Sequence, residues 1–311
     1  MTNLDPSYEV SNTCLITGGN GYLGKHIYQH LSHLNYKIST LGKKNNNTFV
    51  YDLSTQVPIL NRSFKTVVHC AGRAHSFPQT KEQEQAFFDV NVTGTSNLLS
   101  ALEAAPTLPS HFVFMSSVSV YGLNKGIDIN EEEPLQSSYP YGKSKIEAEQ
   151  VIISWCKRHG VTCLILRLPL LAGKNPPGNL RVMIEGIKKG YYFNLSKKSV
   201  RKSIVMADDV AKIIPKSLNM SGIFNLTDGY HPSFQELAVL IAGQVNRPLP
   251  KSFPSWMSRV LMFLVKKFGF LSPINAYKFQ KLTSSLTFDD SKARETIGWN
   301  PTPVLSAFKI K

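Results

Sequence analysis

The sequence lacks most of the features that mark secreted, membrane-spanning or metal-dependent chains. Its four cysteines, Cys14, Cys70, Cys156 and Cys163, form no CxxC pair, and we interpret them as reduced core residues of a cytoplasmic protein. We predict no metal site. No uncharged run approaches about 20 apolar residues, which argues against a membrane span. The polar N-terminal stretch predicts no signal peptide.

Acidic residues are scarce: Asp and Glu number 21 against 35 Lys and Arg, which gives a net charge of +14. A basic chain suits an anionic partner, whether nucleic acid, anionic lipid or a phosphorylated small molecule. No block of five or more consecutive basic residues occurs, which weakens the nucleic-acid alternative. We therefore expect no nucleic-acid partner, while charge alone does not choose between the other two.

Runs rich in β-branched and aromatic residues alternate with helix-length segments. The strand-like runs are 13–17, 37–40, 66–70, 111–115 and 162–167, and the helix-like segments are 22–34, 82–104 and 141–159. This alternation predicts βαβ units, and strands without polar alternation are typical of a parallel sheet buried on both faces. We predict an α/β fold with a doubly wound parallel sheet of the Rossmann type.

The alternation weakens after residue 170. We expect residues 1–170 to form the dinucleotide-binding domain, with residues 203–226 returning to it. Residues 171–202 and 227–311 are expected to form a smaller, mainly helical substrate-binding domain.

One later segment, WMSRVLMFLVKKFGF (256–270), is apolar, aromatic and basic. Such a segment is suited to resting on an anionic membrane surface. The more ordinary interpretation is a helix of the substrate-binding domain.

The segment TGGNGYLG (17–24) follows the first strand and precedes a helix pattern. This is the context in which a GxGxxG pattern indicates dinucleotide binding, because the turn brings backbone and helix N-terminus close to the pyrophosphate. A plain strand–turn–helix corner is the alternative. The predicted cofactor-binding residues here are Gly18, Asn20, Gly21, Tyr22, Leu23 and Gly24.

The second strand bears on which dinucleotide binds. An NAD site usually has an acidic residue at the end of this strand, to accept from the ribose hydroxyls. Here Lys43 and Lys44 stand in that place, and lysines attract a 2′-phosphate, so we favour NADP with NAD as the alternative. The lysines also fit a solvated loop. Asp52 and Leu53 are expected to bracket the adenine.

Tyr141 and Lys145 lie four residues apart at the start of a predicted helix, so they share one face. A tyrosine titrates near pH 10, and an ammonium group one turn away is expected to lower its pKa by stabilising the phenolate. A serine from the strand end SS (116–117) can bond a substrate oxygen. Together these groups suit hydride transfer at a carbinol or ketone carbon. A lone YxxxK is also common as a surface pair, but its place after a glycine-rich turn makes it specific.

The chain resembles the extended short-chain dehydrogenase/reductase family, of the nucleotide-sugar epimerase, 4-ketoreductase and dehydratase type. The resemblance rests on TGGNGYLG, VVHCAGRAH, DVNVTGTSNLL, FMSSVSVYG, YPYGKSK, LRLPLLAG, VRKSIVMADDV and DDSKARETIGWNP, and it covers nearly the whole chain. It implies a catalytic Ser117 beside the Tyr141–Lys145 pair, which also contacts the cofactor. The further cofactor-binding residues that it implies are Cys70, Ala71, Gly72, Asn91, Ser116, Pro169 and Leu170.

The resemblance also implies a UDP-sugar substrate and, in many relatives, a homodimer formed by the helices near 82–104 and 141–159. Asn179 and Arg201 would contact the diphosphate, although Arg201 lies in a charged stretch that also fits the surface. Arg73 and His75 line the sugar pocket or form a loop surface. Ser117 would touch the substrate as well. Gly72, where alanine is common, is expected only to loosen the packing.

Three functions remain open. HCAGRAH and the C-terminal motif resemble the branch of the family that acts on UDP-linked 4-keto-6-deoxy-N-acetylhexosamines, and this branch includes both 4-ketoreductases and 4-epimerases. Because Lys43 and Lys44 suit NADPH, we favour an NADPH-dependent 4-ketoreductase for surface polysaccharide synthesis. The first alternative is a UDP-sugar 4-epimerase that keeps NAD bound. The second is a non-catalytic dinucleotide-binding regulator, which the presence of Ser117, Tyr141 and Lys145 disfavours.

Overall fold

The computed structural model describes residues 12–74, 78–194, 200–251 and 283–310. Its strands are β1 Thr13–Thr17, β2 Lys37–Gly42, β3 Phe49–Val50, β4 Thr66–His69, β5 His111–Ser117, β6 Gly126–Ile129, β7 Thr162–Leu168, β8 Leu170–Ala172, β9 Ile204–Met206, β10 Gly222–Asn225 and β11 Leu286–Phe288. Its helices are α1 Tyr22–His33, α2 Lys81–Phe88, α3 Gly94–Glu103, α4 Pro140–His159, α5 Gly178–Lys189, α6 Ala207–Ile213, α7 Phe234–Gln244, α8 Ser291–Ile297 and α9 Val304–Ala307.

Seven parallel strands form the main sheet, in the order β10-β7-β5-β4-β1-β2-β3. The prediction of a doubly wound parallel sheet is therefore confirmed. Strand order reverses between β1 and β4, because the chain leaves β1 toward β2 and later returns to its other side. In such sheets, ligands bind in the crevice at the carboxyl ends of the strands beside this switch point.

Apolar cores cover both faces of the sheet. On one face, α1 and α6 pack over side chains such as Ile16, Val113 and Leu166. On the other, α3 and α4 pack over side chains such as Leu15 and Phe112. Burial on both faces explains why these strands read as uninterrupted apolar runs.

The segment predicted as a helix over 82–104 is helical from Lys81 to Glu103, but it is not one regular α-helix. Between α2 and α3 the backbone widens into a π-helical turn at Asp89–Thr93. Single π turns are frequent at functional sites. This one contains the buried side chain of Asn91.

The C-terminal part contains a third core, formed mainly by α5, α7 and α9. Two short parallel pairs, β8–β9 and β6–β11, lie beside the main sheet, which β10 joins as an edge strand. The two-domain division given above stays a prediction. The segment 256–270 lies outside the described residues, and no helix within the described ranges is long and apolar enough to cross a membrane.

Two glycines set the shape of the turn after β1. Gly18 has φ +67°, and a Cβ placed on it would lie 2.7 Å from the Ala71 nitrogen. A Cβ on Gly24 would lie close against the carbonyl oxygen of Gly18 and 2.8 Å from Gly19 Cα. The first turn of α1 therefore packs on the backbone of the loop, and only glycine leaves room.

Gly24→Ala should lower the free energy of unfolding by about 1–3 kcal/mol, because the added methyl group overlaps fixed backbone atoms. Gly243→Ala is the matched control, since its Cβ would meet no atom within 4 Å near the end of α7. It should raise stability by up to about 1 kcal/mol. Urea unfolding of both variants measures the difference; equal stabilities would contradict the packing described here.

Candidate active site

The glycine-rich turn presents a helix N-terminus to the crevice. Gly21 N–H donates to the carbonyl oxygen of Gly18 at 2.8 Å, and α1 begins at the next residue. No side chain of the described residues caps this helix, and its first turn contains no acid. Uncapped N–H groups at the positive end of a helix suit a phosphate, so the turn fits the pyrophosphate of a dinucleotide.

Three predicted residues of this turn also contact other parts of the protein. Asn20 forms a reciprocal amide pair with Asn46 at 2.8 and 3.1 Å, which ties the turn to the loop after β2. Tyr22 contacts His26 edge to face, and its buried hydroxyl lacks a hydrogen-bond partner among the described residues. Leu23 is buried in the core.

The two lysines at the end of β2 are not both available to bind a cofactor phosphate. Lys43 Nζ lies 2.7 Å from Asp52 Oδ2, so two residues predicted to contact the cofactor pair with each other. Burial works against ionisation of Asp52, but hydrogen bonds from Lys43 and Ser54 outweigh it and lower the pKa of the carboxyl. Lys44 is exposed, and Leu53 is buried, with its carbonyl accepting from Asn97 Nδ2 at 2.7 Å.

A chain of hydrogen bonds links the ends of β1 and β4 to α3. Ala71 N–H donates to Thr17 Oγ1 at 3.1 Å, and the Thr17 hydroxyl lies 2.6 Å from His69 Nδ1. His69 Nε2 lies 2.9 Å from Thr95 Oγ1, whose proton goes to the Asn91 carbonyl at 2.6 Å. The imidazole therefore has its proton on Nε2. Burial, with a smaller effect of the Lys145 charge, lowers the pKa of His69 to about 3, so it is neutral.

The side chain of Asn91 extends this chain to the segment after β4 and to α4. Its Oδ1 accepts from Arg73 N–H at 2.8 Å, and its Nδ2 donates to the Arg73 carbonyl at 3.2 Å and to Ser144 Oγ at 2.9 Å. A Cβ on Gly72 would lie 3.1 Å from Asn91 Oδ1 and 3.4 Å from Lys145 Nζ. The expectation that Gly72 only loosens the packing is wrong, since the missing side chain lets both groups approach.

Ser117, Tyr141 and Lys145 meet at the carboxyl end of β5. Pro140 begins α4, as proline does at a first helical position, and this places Tyr141 in the first turn. The phenol hydrogen-bonds with Ser117, and Lys145 Nζ donates to the Met115 carbonyl at 2.8 Å, 4.3 Å from the Phe114 ring centre. Tyr141 and Lys145 of α4 thus both contact the last four residues of β5, which end in Ser117.

The pKa values differ from the sequence expectation. Burial raises the pKa of Tyr141, and the bond with Ser117 offsets only part of that rise, so the prediction of a lowered pKa is wrong for this structure. Burial lowers the pKa of Lys145 to about 8, opposed by Cys70 and Glu149. At neutral pH the tyrosine is a phenol and the lysine an ammonium ion.

A buried ion pair lies directly behind these groups. Arg167 donates to both carboxylate oxygens of Glu149 at 3.1 and 2.7 Å, and Ser116 Oγ donates to the same carboxylate at 2.5 Å. Arg167 also donates to the Tyr121 hydroxyl at 3.0 Å, and Tyr121 donates to Asn225 at 2.8 Å. Ser116 therefore holds strand β5 to α4 and β7.

The predicted substrate residues are less closely grouped. The Arg73 guanidinium lies 5.5 Å from the Phe87 ring centre, and that ring lies 6.1 Å from the ring of Tyr141. Arg201 donates to the carbonyl oxygens of His231 and Tyr230 at 3.0 and 3.4 Å. No contact between Asn179 and Arg201 occurs among the described residues. His75 lies outside them.

Pro169 joins β7 to β8, and Leu170, the first residue of β8, pairs in register with Ile204. Within the described part of the chain, no three His, Cys, Asp or Glu side chains form a group suited to a metal ion.

Sequence reasoning missed the partners that hold the site. Glu149 stands four residues after Lys145 on the same helical face, and Arg167 is a charged residue in the apolar run TCLILRL. A charge inside a buried strand indicates a buried partner. No comparable sequence pattern marked the other residues that hold the site, His69, Thr95 and Ser144.

Comparison with known proteins gives a consistent result. A model of the NAD dependent epimerase/dehydratase family matches residues 14–226. UDP-glucose 4-epimerase of Vibrio cholerae is 26% identical over 316 aligned residues, covering 96% of this chain and 93% of that protein.

Two solved structures share the fold. MoeE5 in complex with UDP-glucuronic acid and NAD superposes with a TM-score of 0.73 at 18% identity, covering 95% of this chain and 97% of that one. RMD from Pseudomonas aeruginosa, complexed with NADPH, gives 0.69 at 20% identity, covering 95% and 94%. The chain therefore belongs to the NAD-dependent epimerase/dehydratase family, as an NAD(P)-dependent enzyme of the extended short-chain dehydrogenase/reductase type.

Proposed function

We propose that the protein is a UDP-sugar 4-epimerase that works with NAD. The observation that carries this proposal is the grouping of half-buried Tyr141 with buried Ser117 and Lys145 at the switch-point crevice, at the same edge of the sheet as the uncapped start of α1. The similarity to the Vibrio cholerae UDP-glucose 4-epimerase along nearly the whole chain supports epimerisation more than the ketone reduction favoured by the sequence motifs.

The proposed chemistry occurs at C4 of the sugar. A nicotinamide dinucleotide held by the glycine-rich turn supplies the hydride-accepting and hydride-returning group. As the phenolate, Tyr141 would take the proton of the C4 hydroxyl and give it back after hydride has returned to the opposite face of C4, while Ser117 would orient the same oxygen by hydrogen bonding. Burial disfavours this phenolate, and the Lys145 ammonium, one helical turn away, would stabilise it.

A reductase of a UDP-linked 4-keto sugar is the second candidate, and the end of β2 favours it. No acid follows Leu41 before Asn47, and the two lysines there would attract the 2′-phosphate of NADPH. The pairing of Lys43 with Asp52 weakens this argument, because a carboxylate already neutralises one ammonium group. Lys44 remains, with no carboxylate partner among the described residues.

Tyr141→Phe should reduce turnover by about 10²–10⁴-fold, because the ring stays in place while the proton-transferring hydroxyl is lost. Cofactor affinity should change little. Steady-state kinetics and calorimetric titration test this on the same preparation. Tyr139→Phe, one position before the start of α4, is the control and should retain turnover; near-normal turnover of Tyr141→Phe would remove the assignment.

Cofactor affinity should fall as pH rises through about 8, because Lys145 loses its proton there. The folded pKa is below the free value, so the ammonium form, which binds the electron-rich ribose and phosphate groups, predominates only at lower pH. Lys145→Met should bind cofactor more weakly below pH 8 and lose this pH dependence. If the cofactor affinity of the wild-type and Lys145→Met proteins changed with pH in the same way, Lys145 would not act on the cofactor.

Product analysis separates the two candidate functions. With UDP-glucose or UDP-N-acetylglucosamine and NAD, we expect the C4 epimer to accumulate without net reduction of the cofactor. Stoichiometric oxidation of NADPH by a UDP-4-keto sugar, with no epimer formed, would make the protein a reductase. A matched titration of Lys44→Ala and Lys174→Ala then shows whether Lys44 selects NADPH, since only the first should weaken NADPH binding relative to NADH.

A further inference from the structure

Nearly all of the net charge comes from two segments of the C-terminal half. Residues 186–207 and 237–288 together contain thirteen Lys and Arg and no Asp or Glu. The rest of the chain has 22 basic against 21 acidic residues and is close to neutral. Such an uneven distribution of charge suits an anionic partner at this part of the molecule.

The structure brings the two basic segments together. Asn194 N–H donates to the Lys251 carbonyl at 3.0 Å, so the segments meet just after α5. They meet again where Leu286 N–H donates to the Arg201 carbonyl at 3.0 Å and Lys202 pairs with Leu286 in a parallel bridge. The six of these basic residues that the structure describes, Lys188, Lys189, Arg201, Lys202, Arg247 and Lys251, therefore lie on chain segments that meet at these two places.

Exposed apolar side chains lie in the same region. Tyr191 is 57% exposed and lies over Gly186, where a Cβ would be 3.2 Å from its ring. Val182 and Lys189 stand one turn before and one turn after Gly186 on the same face of α5, and Val182 is 64% exposed.

Two more exposed side chains flank the junction of the two segments. Phe193 precedes Asn194 and is 46% exposed, and Leu249, two residues before Lys251, is 63% exposed. With Val182, Tyr191 and the exposed lysines Lys188 and Lys189, these side chains define the α5 face.

We propose that the α5 face binds the surface of an anionic phospholipid bilayer. Lysines attract the negative headgroups, while aromatic and aliphatic side chains enter the boundary between headgroups and acyl chains. If the positive charge served only to attract a nucleotide sugar to the active site, exposed apolar side chains on the same face would have no role. Nucleic acid is the less favoured occupant: bases can stack on Tyr191 and Phe193, but the aliphatic Val182 and Leu249, which are more exposed, have no role in such binding. The proposal does not depend on which sugar reaction the site performs.

Co-sedimentation of the full chain with vesicles tests the proposal. Binding should be strong to phosphatidylcholine mixed with phosphatidylglycerol, weak to phosphatidylcholine alone, and reduced by salt. The paired substitution Lys188→Gln/Lys189→Gln should weaken binding by roughly tenfold or more. The matched control is Lys157→Gln/Arg158→Gln, which changes two consecutive exposed residues at the end of α4. It should change vesicle binding by less than about threefold.

The apolar contribution is tested separately. Tyr191→Ser/Phe193→Ser should weaken vesicle binding several-fold, and Val182→Ser, on the helix surface, gives the same test if the first variant loses thermal stability. Ile59→Ser, at a side chain 76% exposed elsewhere, is the control. Equal binding to neutral and anionic vesicles, or no binding, would overturn the proposal. So would binding to single-stranded DNA that is tighter than binding to anionic vesicles and that Val182→Ser leaves unchanged.

Discussion

The ammonium group of Lys145, buried at the carboxyl edge of the sheet, is the constraint on which the rest of the site depends. A buried charge is unfavourable unless polar groups surround it. Here the Met115 carbonyl and the Phe114 ring receive it, and the Glu149 carboxylate lies one helical turn further on. Because Arg167 and Ser116 hold that carboxylate, the strand ending in Ser117 and the helix bearing Tyr141 are fixed to each other.

A second set of hydrogen bonds secures the site from the cofactor side. Neutral His69 joins β1, β4 and α3, and the set reaches α4 through Asn91 and Ser144. The π turn that contains Asn91 lets its side chain bond the backbone of Arg73 in both directions. The glycine-rich turn, the end of β4 and the catalytic helix thus belong to one connected polar framework.

Local sequence patterns predicted the parts of the protein that depend on near neighbours. The buried strands, the glycine-rich turn and the Tyr141–Lys145 spacing are all local, and the sheet follows from them. The Glu149–Arg167 and Lys43–Asp52 pairs depend on how the chain folds. Arg167 inside an apolar run indicates a buried partner, but no sequence pattern identifies which residue that partner is. The raised pKa of Tyr141 depends on burial, which spacing does not reveal. The basic lysines after β2 favoured a reductase, whereas the whole-chain similarity favours an epimerase.

The central claim is that hydride leaves C4 of a UDP-sugar and returns to the same carbon, with Tyr141 moving the hydroxyl proton. The most direct measurement uses a UDP-N-acetylhexosamine or UDP-hexose deuterated at C4, with products analysed by mass spectrometry and NMR. We expect the C4 epimer to retain the deuterium at C4, and the Tyr141→Phe protein to form little of it. Exchange of the deuterium with solvent hydrogen, or no epimer from either sugar class, would contradict the claim.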